Sequence, residues 1–366
     1  MEGLVMNPAF WNNKRVLLTG HTGFKGSWLS LWLQEMGARL VGFSLDPPTD
    51  SNLHEIAGVA GGMESIHGDI RDLKQVSDAM EKFRPEIVFH LAAQSIVRRS
   101  YQDPVSTYTT NVLGTVNLLE AVRQCDSVAV MVNVTTDKCY ENKEWFWGYR
   151  ENEPMGGHDP YSNSKGCAEL VTAAYRSSFF SNSSSPQRNV RVATARAGNS
   201  IGGGDWGEDR LIPDMIRAIM DKRPVIIRNP VAIRPWQYVL DPLHGYLTLA
   251  EKLWHEGHSF AEGWNFGPGE TEVQNVSWIA DRMTELWGDG ARWELDKNLH
   301  AHEARYLKLD SSKARDLLGW KTRFDVAETL QCIVDWYRAY LDKQDMHAVT
   351  RKQIQEYAKR LSTVAG

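Results

Sequence analysis

Residues 16–29 read VLLTGHTGFKGSWL, and this stretch decides the fold. It begins as a short run of branched apolar residues, which predicts a buried strand, and it then breaks at a glycine-rich turn. After the turn, Trp28, Leu29, Trp32 and Leu33 recur at helical spacing. A strand, a tight glycine turn and a helix in this order predict the first unit of a dinucleotide-binding fold.

The glycines of this turn follow the spacing GxxGxxG. Gly20 allows the sharp turn, Gly23 allows backbone amides to approach a pyrophosphate, and Gly26 allows the helix to pack on its strand. The positive end of the helix then faces the phosphates. We therefore assign the following residues to a cofactor site: Gly20, Thr22, Gly23, Phe24, Lys25 and Gly26.

The composition is that of a soluble globular protein of 366 residues, with 42% hydrophobic and 24% charged residues. The net charge of −5 and the lack of a basic block argue against a nucleic-acid partner. No apolar run is long enough for a membrane span, and the first residues do not form a signal peptide. The cysteines and histidines lack metal-ligand spacing, so we expect reduced thiols, no metal and a cytoplasmic enzyme.

The end of the second predicted strand, residues 40–45, indicates which dinucleotide binds. In dinucleotide folds this end meets the adenosine ribose, where an acid accepts from both hydroxyls and an arginine would hold a 2′-phosphate. No Lys or Arg occurs between Gly42 and Asp50, which favours NAD over NADP. Asp46 is the candidate acid, and a solvated turn aspartate is an equally open interpretation of it.

Strands and helices alternate along the first half of the chain, which predicts an α/β fold with a doubly wound parallel sheet. Further predicted strands are 87–91, 128–134 and 190–195, and predicted helices cover about 105–123 and 161–180. Beyond these elements the chain becomes glycine-rich and loop-like. We therefore expect a Rossmann domain that binds NAD over residues 1–196. Residues 197–366 then form a smaller mixed domain, mainly for the substrate, from which some segments can return to the first domain.

Two groups of reactive residues stand where this fold places catalysis. Residues 135–138 read Thr-Thr-Asp-Lys and follow a predicted central strand, beyond whose carboxyl end catalytic groups cluster. Tyr161 and Lys165 have the spacing YxxxK at the start of a helix, which puts them on one face. The ammonium of Lys165 favours tyrosinate. We therefore expect the pKa of Tyr161 to be lowered toward neutrality, so that Tyr161 can deprotonate a sugar hydroxyl.

These motifs resemble those of the extended short-chain dehydrogenase/reductase family. From Trp11 to about Trp320 the chain is similar to the nucleotide-sugar 4,6-dehydratases of that family. The similar stretches are HTGFKGSWL, FHLAAQSIVRRSYQDP, TTDKCYEN, ARAGNSIGGGDW, RPWQYVLDP and YLKLDSSKA. The resemblance implies NAD as cofactor, CDP-D-glucose as substrate and a role in making bacterial O-antigen dideoxysugars. It also implies a homodimer or higher homo-oligomer that pairs through two long helices.

The resemblance further implies the binding residues. The implied cofactor contacts, beyond the glycine turn, are Asp46, Asp69, Ile70, Leu91, Ala92, Ala93, Gln94, Asn111, Thr135, Tyr161 and Lys165. Arginines among glycines and aromatic residues suit the diphosphate and base of a sugar nucleotide, although each arginine taken singly also fits a surface ion pair. The implied substrate contacts are Ser95, Arg98, Asn199, Arg210, Leu211, Arg234, Gln237, Tyr238 and Arg305.

The resemblance implies a catalytic set of Thr136, Asp137, Lys138, Tyr161 and Lys165. Tyr161 takes the proton of O4, Thr136 bridges to the same oxygen, and Asp137 in its acid form protonates O6 as water leaves. Lys138 removes the C5 proton, where dTDP-glucose dehydratases have a glutamate. Three alternatives stay open: a dehydratase of a dTDP-, GDP- or UDP-sugar, a nucleotide-sugar 4-epimerase, and a binding protein without turnover.

Overall fold

A parallel sheet of seven strands forms the centre of the structure, which is a computed structural model describing residues 7–181, 189–269, 272–296 and 307–363. The strands in chain order are β1 (Arg15–Thr19), β2 (Arg39–Ser44), β3 (Glu64–His67), β4 (Ile87–His90), β5 (Val130–Val134), β6 (Arg191–Ala197), β7 (Ser200–Ile201), β8 (Val225–Ile227), β9 (Ile233–Pro235), β10 (Gln237–Tyr238), β11 (Gly263–Phe266), β12 (Val273–Asn275) and β13 (Trp293–Leu295).

Helices follow most of these strands. They are α1 (Pro8–Trp11), α2 (Phe24–Glu35), α3 (Leu53–Ile56), α4 (Leu73–Phe83), α5 (Val97–Gln102), α6 (Pro104–Tyr108), α7 (Gly114–Gln124), α8 (Pro160–Phe179), α9 (Leu211–Met220), α10 (Leu240–Glu256), α11 (Val276–Trp287), α12 (Ser312–Leu318), α13 (Val326–Leu341) and α14 (Met346–Thr363). Within the described ranges, no helix is both long and apolar enough to cross a membrane.

The strand order of the main sheet is β11-β6-β5-β4-β1-β2-β3, which confirms the doubly wound parallel sheet predicted from the sequence. The winding reverses at β1, which pairs with β2 on one side and with β4 on the other. Open sheets of this kind bind ligands in the crevice beyond the carboxyl ends of the strands at such a reversal. The crevice between the ends of β1 and β4 is therefore the expected site. The seventh strand, β11, comes from the second half of the chain.

The core lies on both faces of this sheet because successive residues of a strand point to opposite sides. Val16 and Leu18 of β1 face a layer formed by α2 and α10, whereas Leu17 faces a layer formed by α4 and α7. Trp28 and Trp32 of α2 are almost fully buried. Each large apolar side chain buried in this way contributes about 1.5–3 kcal/mol. The packing therefore holds α2 firmly against the strand that precedes it.

Local sequence signals set the position of the helix that carries the YxxxK motif. Pro160 opens α8, and the side chain of Asp159 accepts a hydrogen bond from the Ser162 amide, which caps the helix. This start places Tyr161 in the first turn of α8. The predicted helix 105–123 is interrupted by a π-type turn at Thr109–Leu113, and such turns are frequent at functional sites.

The C-terminal helices return to the first half of the chain. Trp32 of α2 packs edge-on against Tyr357 of α14, and Arg351 of α14 pairs with Glu35 of α2. Residues beyond 197 therefore complete both an edge of the central sheet and the layer outside α2.

Candidate active site

The glycine turn after β1 fits the approach of a dinucleotide. Gly20 has a φ of 75°, and a Cβ there would lie 2.6 Å from the backbone nitrogen of Ala92. A Cβ on Gly26 would lie 2.1 Å from the carbonyl oxygen of Gly20. Gly23 is the N-cap of α2 and supplies no side-chain cap, which leaves the first amides of the helix for a phosphate. These observations fit the predicted pyrophosphate cradle of NAD.

An acidic pocket lies beyond the carboxyl end of β2. Its volume is about 340 Å³, and its lining includes Asp46, Asp50, Asn52 and Glu55. The hydroxyl of Thr22 donates to the carbonyl of Leu45 at 3.0 Å, which ties the glycine turn to this strand end. Carboxylates here repel a 2′-phosphate, so the pocket fits the adenosine ribose of NAD better than that of NADP. Asp46 itself is exposed and accepts from His67 at 2.9 Å.

The residues after β4 lie beside this turn. The amide of Ala92 donates to the hydroxyl of Thr19 at 3.2 Å. Asn111 accepts from the amide of Gln94 at 2.8 Å and donates to the hydroxyl of Ser164 on α8 at 2.9 Å. Asn111 therefore joins the end of β4 to the helix that carries Tyr161. The other predicted cofactor residues of this region follow the carboxyl ends of β3 and β4: Asp69, Ile70, Leu91 and Ala93.

The predicted catalytic residues meet at the carboxyl end of β5. Thr136 donates to Asp137 Oδ1 at 2.9 Å, and Lys138 Nζ lies 3.5 Å from the same oxygen. Asp137 is 1% exposed. Lys165 Nζ donates to the carbonyl of Val134 at 3.3 Å. Tyr161 is also buried, and the hydroxyl of Thr136 lies close enough to lower the pKa of its phenol.

Burial dominates the protonation of these groups. It raises the pKa of Tyr161 to about 12, and the nearby hydroxyl of Thr136 opposes this shift. The expectation that the pKa of Tyr161 is lowered toward neutrality is therefore wrong for this structure, in which burial shifts it the other way. Burial also lowers the pKa of Lys165 to about 8, although the carboxylate of Glu169 raises it.

Lys25, which the sequence assigns to the cofactor site, also lies near the predicted catalytic residues. Burial lowers the pKa of its ammonium to about 8. Asp137 opposes this shift, and Arg210, Lys165 and Lys138 add to it. Lys25 therefore lies within reach of the charges of the predicted catalytic residues Asp137, Lys138 and Lys165.

A buried charge network behind the site was not predicted from the sequence. Glu169 on α8 accepts from Thr135, from Thr194 at 2.7 Å and from Arg196 at 2.8 Å. Arg196 also donates to the hydroxyl of Tyr140 at 2.6 Å. One signal was available, since Glu169 stands one helical turn beyond Lys165 on the same face. The network joins α8 to β6 and to Thr135, the residue between β5 and Thr136.

The predicted substrate residues do not all lie in the same environment. Arg210 donates to Asp205 and to the hydroxyl of Ser95, each at 3.0 Å. Arg98 pairs with Asp209 at 2.9 Å. These contacts bring Arg210 to Ser95, which follows the carboxyl end of β4.

Other predicted substrate residues lie deeper or elsewhere. Gln237 is buried and donates to the carbonyl of Phe266 at 3.0 Å, while its backbone amide donates to the carbonyl of Asn199. Tyr238 is fully buried, and its hydroxyl donates to Gln353, so its side chain belongs to the core and offers no surface to a substrate. Leu211 begins α9 and Arg234 lies on β9. Arg305 lies outside the described residues.

The sheet, the glycine turn and the Tyr161–Lys165 pair together define an enzyme of the extended short-chain dehydrogenase/reductase class. A family model described as GDP-mannose 4,6 dehydratase matches residues 17–333, and the chain belongs to this family. Within the described residues, no cluster of His, Cys, Asp and Glu is arranged to hold a metal ion.

Known proteins agree with this assignment. The chain is 56% identical over 96% of its length, and 98% of the relative's, to the CDP-glucose 4,6-dehydratase of Salmonella typhimurium. The crystal structure of the dTDP-glucose 4,6-dehydratase of Streptomyces venezuelae, solved with NAD bound, has a TM-score of 0.74 at 23% identity, covering 90% of this chain and 99% of that one. The UDP-glucose 4-epimerase of Thermotoga maritima has a TM-score of 0.77 at 23% identity, covering 89% and 99%. The two structures bear on the fold alone.

Proposed function

We propose that this chain is a CDP-D-glucose 4,6-dehydratase, a lyase that converts CDP-D-glucose into CDP-4-keto-6-deoxy-D-glucose and water. The observation that carries the proposal is the position of Asp137 near Tyr161, with Lys138 Nζ 3.5 Å from Asp137 Oδ1. A 4-epimerase needs Tyr161 and Lys165 but has no use for a second acid–base pair. The identity to the Salmonella CDP-glucose 4,6-dehydratase supports cytidine as the base.

NAD is the cofactor of this proposal. When bound, it takes a hydride from C4 of the sugar and returns it to C6, so it is used without net consumption. The glycine turn holds its pyrophosphate, the acidic pocket with Asp46 meets its adenosine ribose, and Lys165 holds its nicotinamide ribose. The residues after β3 and β4, with Asn111 and Thr135, complete the cofactor contacts.

The chain's own residues manage the protons. Tyr161 takes the proton of O4, assisted by Thr136, and the 4-ketone that results makes the C5 hydrogen acidic. Lys138 removes this hydrogen, and Asp137 donates a proton to O6 as water leaves. The side chain of Lys138 is partly exposed and that of Asp137 is buried, and Lys138 Nζ lies 3.5 Å from Asp137 Oδ1, which suits a base and an acid acting on neighbouring carbons.

Residues at the mouth of the crevice bind the sugar nucleotide. We assign the diphosphate to Arg210, with Ser95 and Arg98 beside it, because guanidinium groups match phosphate oxygens in pairs. Asn199, Leu211, Arg234, Gln237 and Arg305 stay in the proposed substrate set. In this division residues 1–196 bind NAD and residues 197–366 mainly bind the substrate.

The assembly proposed is a homodimer or a higher homo-oligomer. Apolar side chains stand exposed on α6, on α8 and on the turn between α6 and α7: Val105 is 73%, Leu113 46% and Leu170 60% exposed. Burying such a patch against a second copy is favourable. The enzyme works in the cytoplasm, and its product serves O-antigen dideoxysugar synthesis in lipopolysaccharide.

The proposal is tested by incubating the purified protein with CDP-, dTDP-, GDP- and UDP-glucose and measuring the 4-keto product. We expect turnover with CDP-glucose far above the others and none with Tyr161→Phe, which keeps the ring and removes the phenol. A CDP-4-epimer formed without loss of water would overturn the dehydratase in favour of the epimerase. If another nucleotide-glucose gave the same 4-keto product faster than CDP-glucose, the enzyme would be assigned to that nucleotide instead of cytidine.

A further inference from the structure

Asn265, on the edge strand β11, joins separate parts of the chain. Its side chain is fully buried. The side-chain oxygen accepts from the hydroxyl of Tyr140 at 2.7 Å, and the side-chain nitrogen donates to the carbonyls of Tyr149 at 2.7 Å and Asp310 at 3.1 Å. The backbone amide of Asn265 donates to the side chain of Glu151 at 2.9 Å. One buried residue therefore connects Tyr140, the loop after it and a C-terminal segment.

The donors and acceptors around this side chain specify an asparagine. The two carbonyls can only accept, so both N–H groups of the amide face them, and its oxygen is left for the Tyr140 hydroxyl. An aspartate would turn an oxygen toward carbonyl oxygens, and an apolar residue would remove all three hydrogen bonds from buried partners. Among side chains of this size, asparagine alone offers two donors and one acceptor. The contacts of Asn265 therefore account for its residue type.

Tyr140 connects Asn265 to the catalytic residues. It directly follows the short helical turn 137–139, which carries the two groups assigned to elimination. The Tyr140 hydroxyl accepts from Arg196 at 2.6 Å while it donates to Asn265. Its ring stacks on that of Tyr149, with the centroids 5.2 Å apart and the planes 17° from parallel. Both the ring and the hydroxyl of Tyr140 are therefore held, and with them the end of the turn.

The loop that follows Tyr140 closes back on the same turn. An isolated bridge pairs Tyr140 with Met155, and the amide of Gly156 donates to the carbonyl of Cys139 at 2.8 Å. Farther along the loop, a second bridge pairs Tyr149 with residue 309 of the C-terminal segment 307–311. The turn, the loop and the C-terminal segment therefore pack as one unit, and Asn265 is hydrogen-bonded to the loop, to this segment and to the residue that ends the turn.

The groups assigned to oxidation are fixed by other contacts. Tyr161 and Lys165 stand on α8, whose start is capped by the side chain of Asp159. Lys165 also donates to the carbonyl of Val134, at the end of β5, at 3.3 Å. None of these contacts involves Asn265. A change at Asn265 should therefore affect the turn 137–139 more than the start of α8.

We propose, resting on the proposed function, that Asn265 is a positioning residue for the elimination step and acts through the hydroxyl of Tyr140. It holds the turn 137–139 where Lys138 reaches the C5 hydrogen and Asp137 reaches O6 of the bound sugar. Because Asn265 comes from the second half of the chain, it aligns this acid and base with the part of the protein proposed to bind the substrate. A displacement of about 1 Å at such a site can slow a reaction ~100-fold.

The variant Tyr140→Phe tests the proposal, because it removes the hydroxyl and keeps the stacked ring. The full-length protein with bound NAD is given CDP-6-deoxyglucose, which lacks O6 and isolates the oxidation, and in a second experiment CDP-glucose. We expect oxidation within about twofold of the wild-type rate, whereas exchange of the C5 hydrogen with solvent deuterium and loss of water slow by ~10- to 100-fold. Bound NADH should therefore accumulate from CDP-glucose.

Tyr357→Phe is the matched control. The hydroxyl of Tyr357, on α14, is also buried and donates to Asp241 at 2.7 Å, so its removal measures the general effect of losing such a hydroxyl. This control should keep the wild-type ratio of the two rates. Asn265→Ala should slow elimination as Tyr140→Phe does. The double variant should be no slower than the slower single variant, because both changes break the same connection.

Elimination at the wild-type rate in Tyr140→Phe overturns the proposal. An equal fall of oxidation and elimination overturns it as well, because that result marks general damage to the site. Effects that multiply in the double variant would show that Asn265 does not act through Tyr140. If Asn265→Ala does not fold, Tyr140→Phe decides alone. The proposed function fails separately, if the wild type forms no 4-keto product from CDP-glucose.

Discussion

Replacing Glu169 by Gln tests whether the buried carboxylate behind the site fixes the catalytic helix to the sheet. Glu169 accepts hydrogen bonds from Thr135, Thr194 and Arg196 and is 3% exposed. Glutamine has one acceptor oxygen and two N–H donors, so its amide must direct donors at some of these groups. The guanidinium of Arg196 also loses its only carboxylate within 4 Å among the described residues.

The expected loss follows from the burial of the pair. Removing one partner of a buried ion pair destabilises a protein by about 3–5 kcal/mol, because the other charge stays buried and uncompensated. Arg196 keeps its hydrogen bonds to the Tyr140 hydroxyl and to the carbonyl of Glu151, so we expect the lower end, about 3 kcal/mol. A domain has only about 5–15 kcal/mol of stability in total.

The assay is urea denaturation of Glu169→Gln beside wild type and a matched surface control, Glu120→Gln. Glu120 pairs with Arg123 on α7, where both side chains are partly exposed to solvent, and such pairs contribute at most about 1 kcal/mol. A second readout is Lys165, whose pKa burial lowers to about 8 while Glu169 raises it. Without the carboxylate the pKa of Lys165 falls further, so the alkaline loss of cofactor reduction should move to lower pH.

The reasoning would be refuted if Glu169→Gln unfolded within about 1 kcal/mol of the wild type, in the range of the surface control. An unchanged alkaline limb would separately show that Glu169 does not act on Lys165. The double variant Glu169→Leu with Arg196→Met removes both charges and should recover much of the stability, since apolar residues replace buried ion pairs well. It should not restore the alkaline limb.

Three further predictions concern the base, the cofactor and a buried acid. Lys138→Met should oxidise C4 and accumulate bound NADH from CDP-glucose while C5 stops exchanging with solvent deuterium; continued exchange would make Lys138 a residue that only orients Asp137. NAD should support turnover far better than NADP after exchange of the cofactor, because the pocket with Asp46 is acidic; equal rates would contradict this interpretation of the pocket. Burial raises the pKa of Asp241 to about 7, so this side chain binds more protons in the folded than in the unfolded chain between about pH 4 and 7, and its own contribution to stability falls across that window by about 4 kcal/mol. Asp241→Asn should remove this fall when urea denaturation at pH 5 is compared with pH 8; an unchanged difference would place the titration elsewhere.

The parts of the fold that could be predicted are those determined by residues close to one another in the sequence. The run Val16–Leu18, the glycine turn and the helical spacing after it specify one strand, one turn and one helix within a few residues. Pro160 and Asp159 likewise specify where the catalytic helix begins. Each of these signals acts between neighbours in the chain, so a single sequence carries it.

The parts that could not be predicted depend on contacts between distant residues. The seventh strand, β11, joins the sheet from far along the chain, and Tyr246 comes beside Asp137 only because α10 packs under β5 and β6. Tyr238 looked like a substrate residue in a motif, yet its ring fills the core. The pKa of Tyr161 was misjudged because burial cannot be weighed against the charge of Lys165 without a structure.

The most direct test of the central claim follows a deuterium atom placed on C4 of CDP-glucose. The purified protein is given this substrate mixed with unlabelled substrate, and the product is analysed by mass spectrometry and NMR. A 4,6-dehydratase that retains its cofactor should deliver the label to C6 of the 4-keto-6-deoxy product, within the same molecule. Label that stays on C4 of an epimerised sugar would contradict the account.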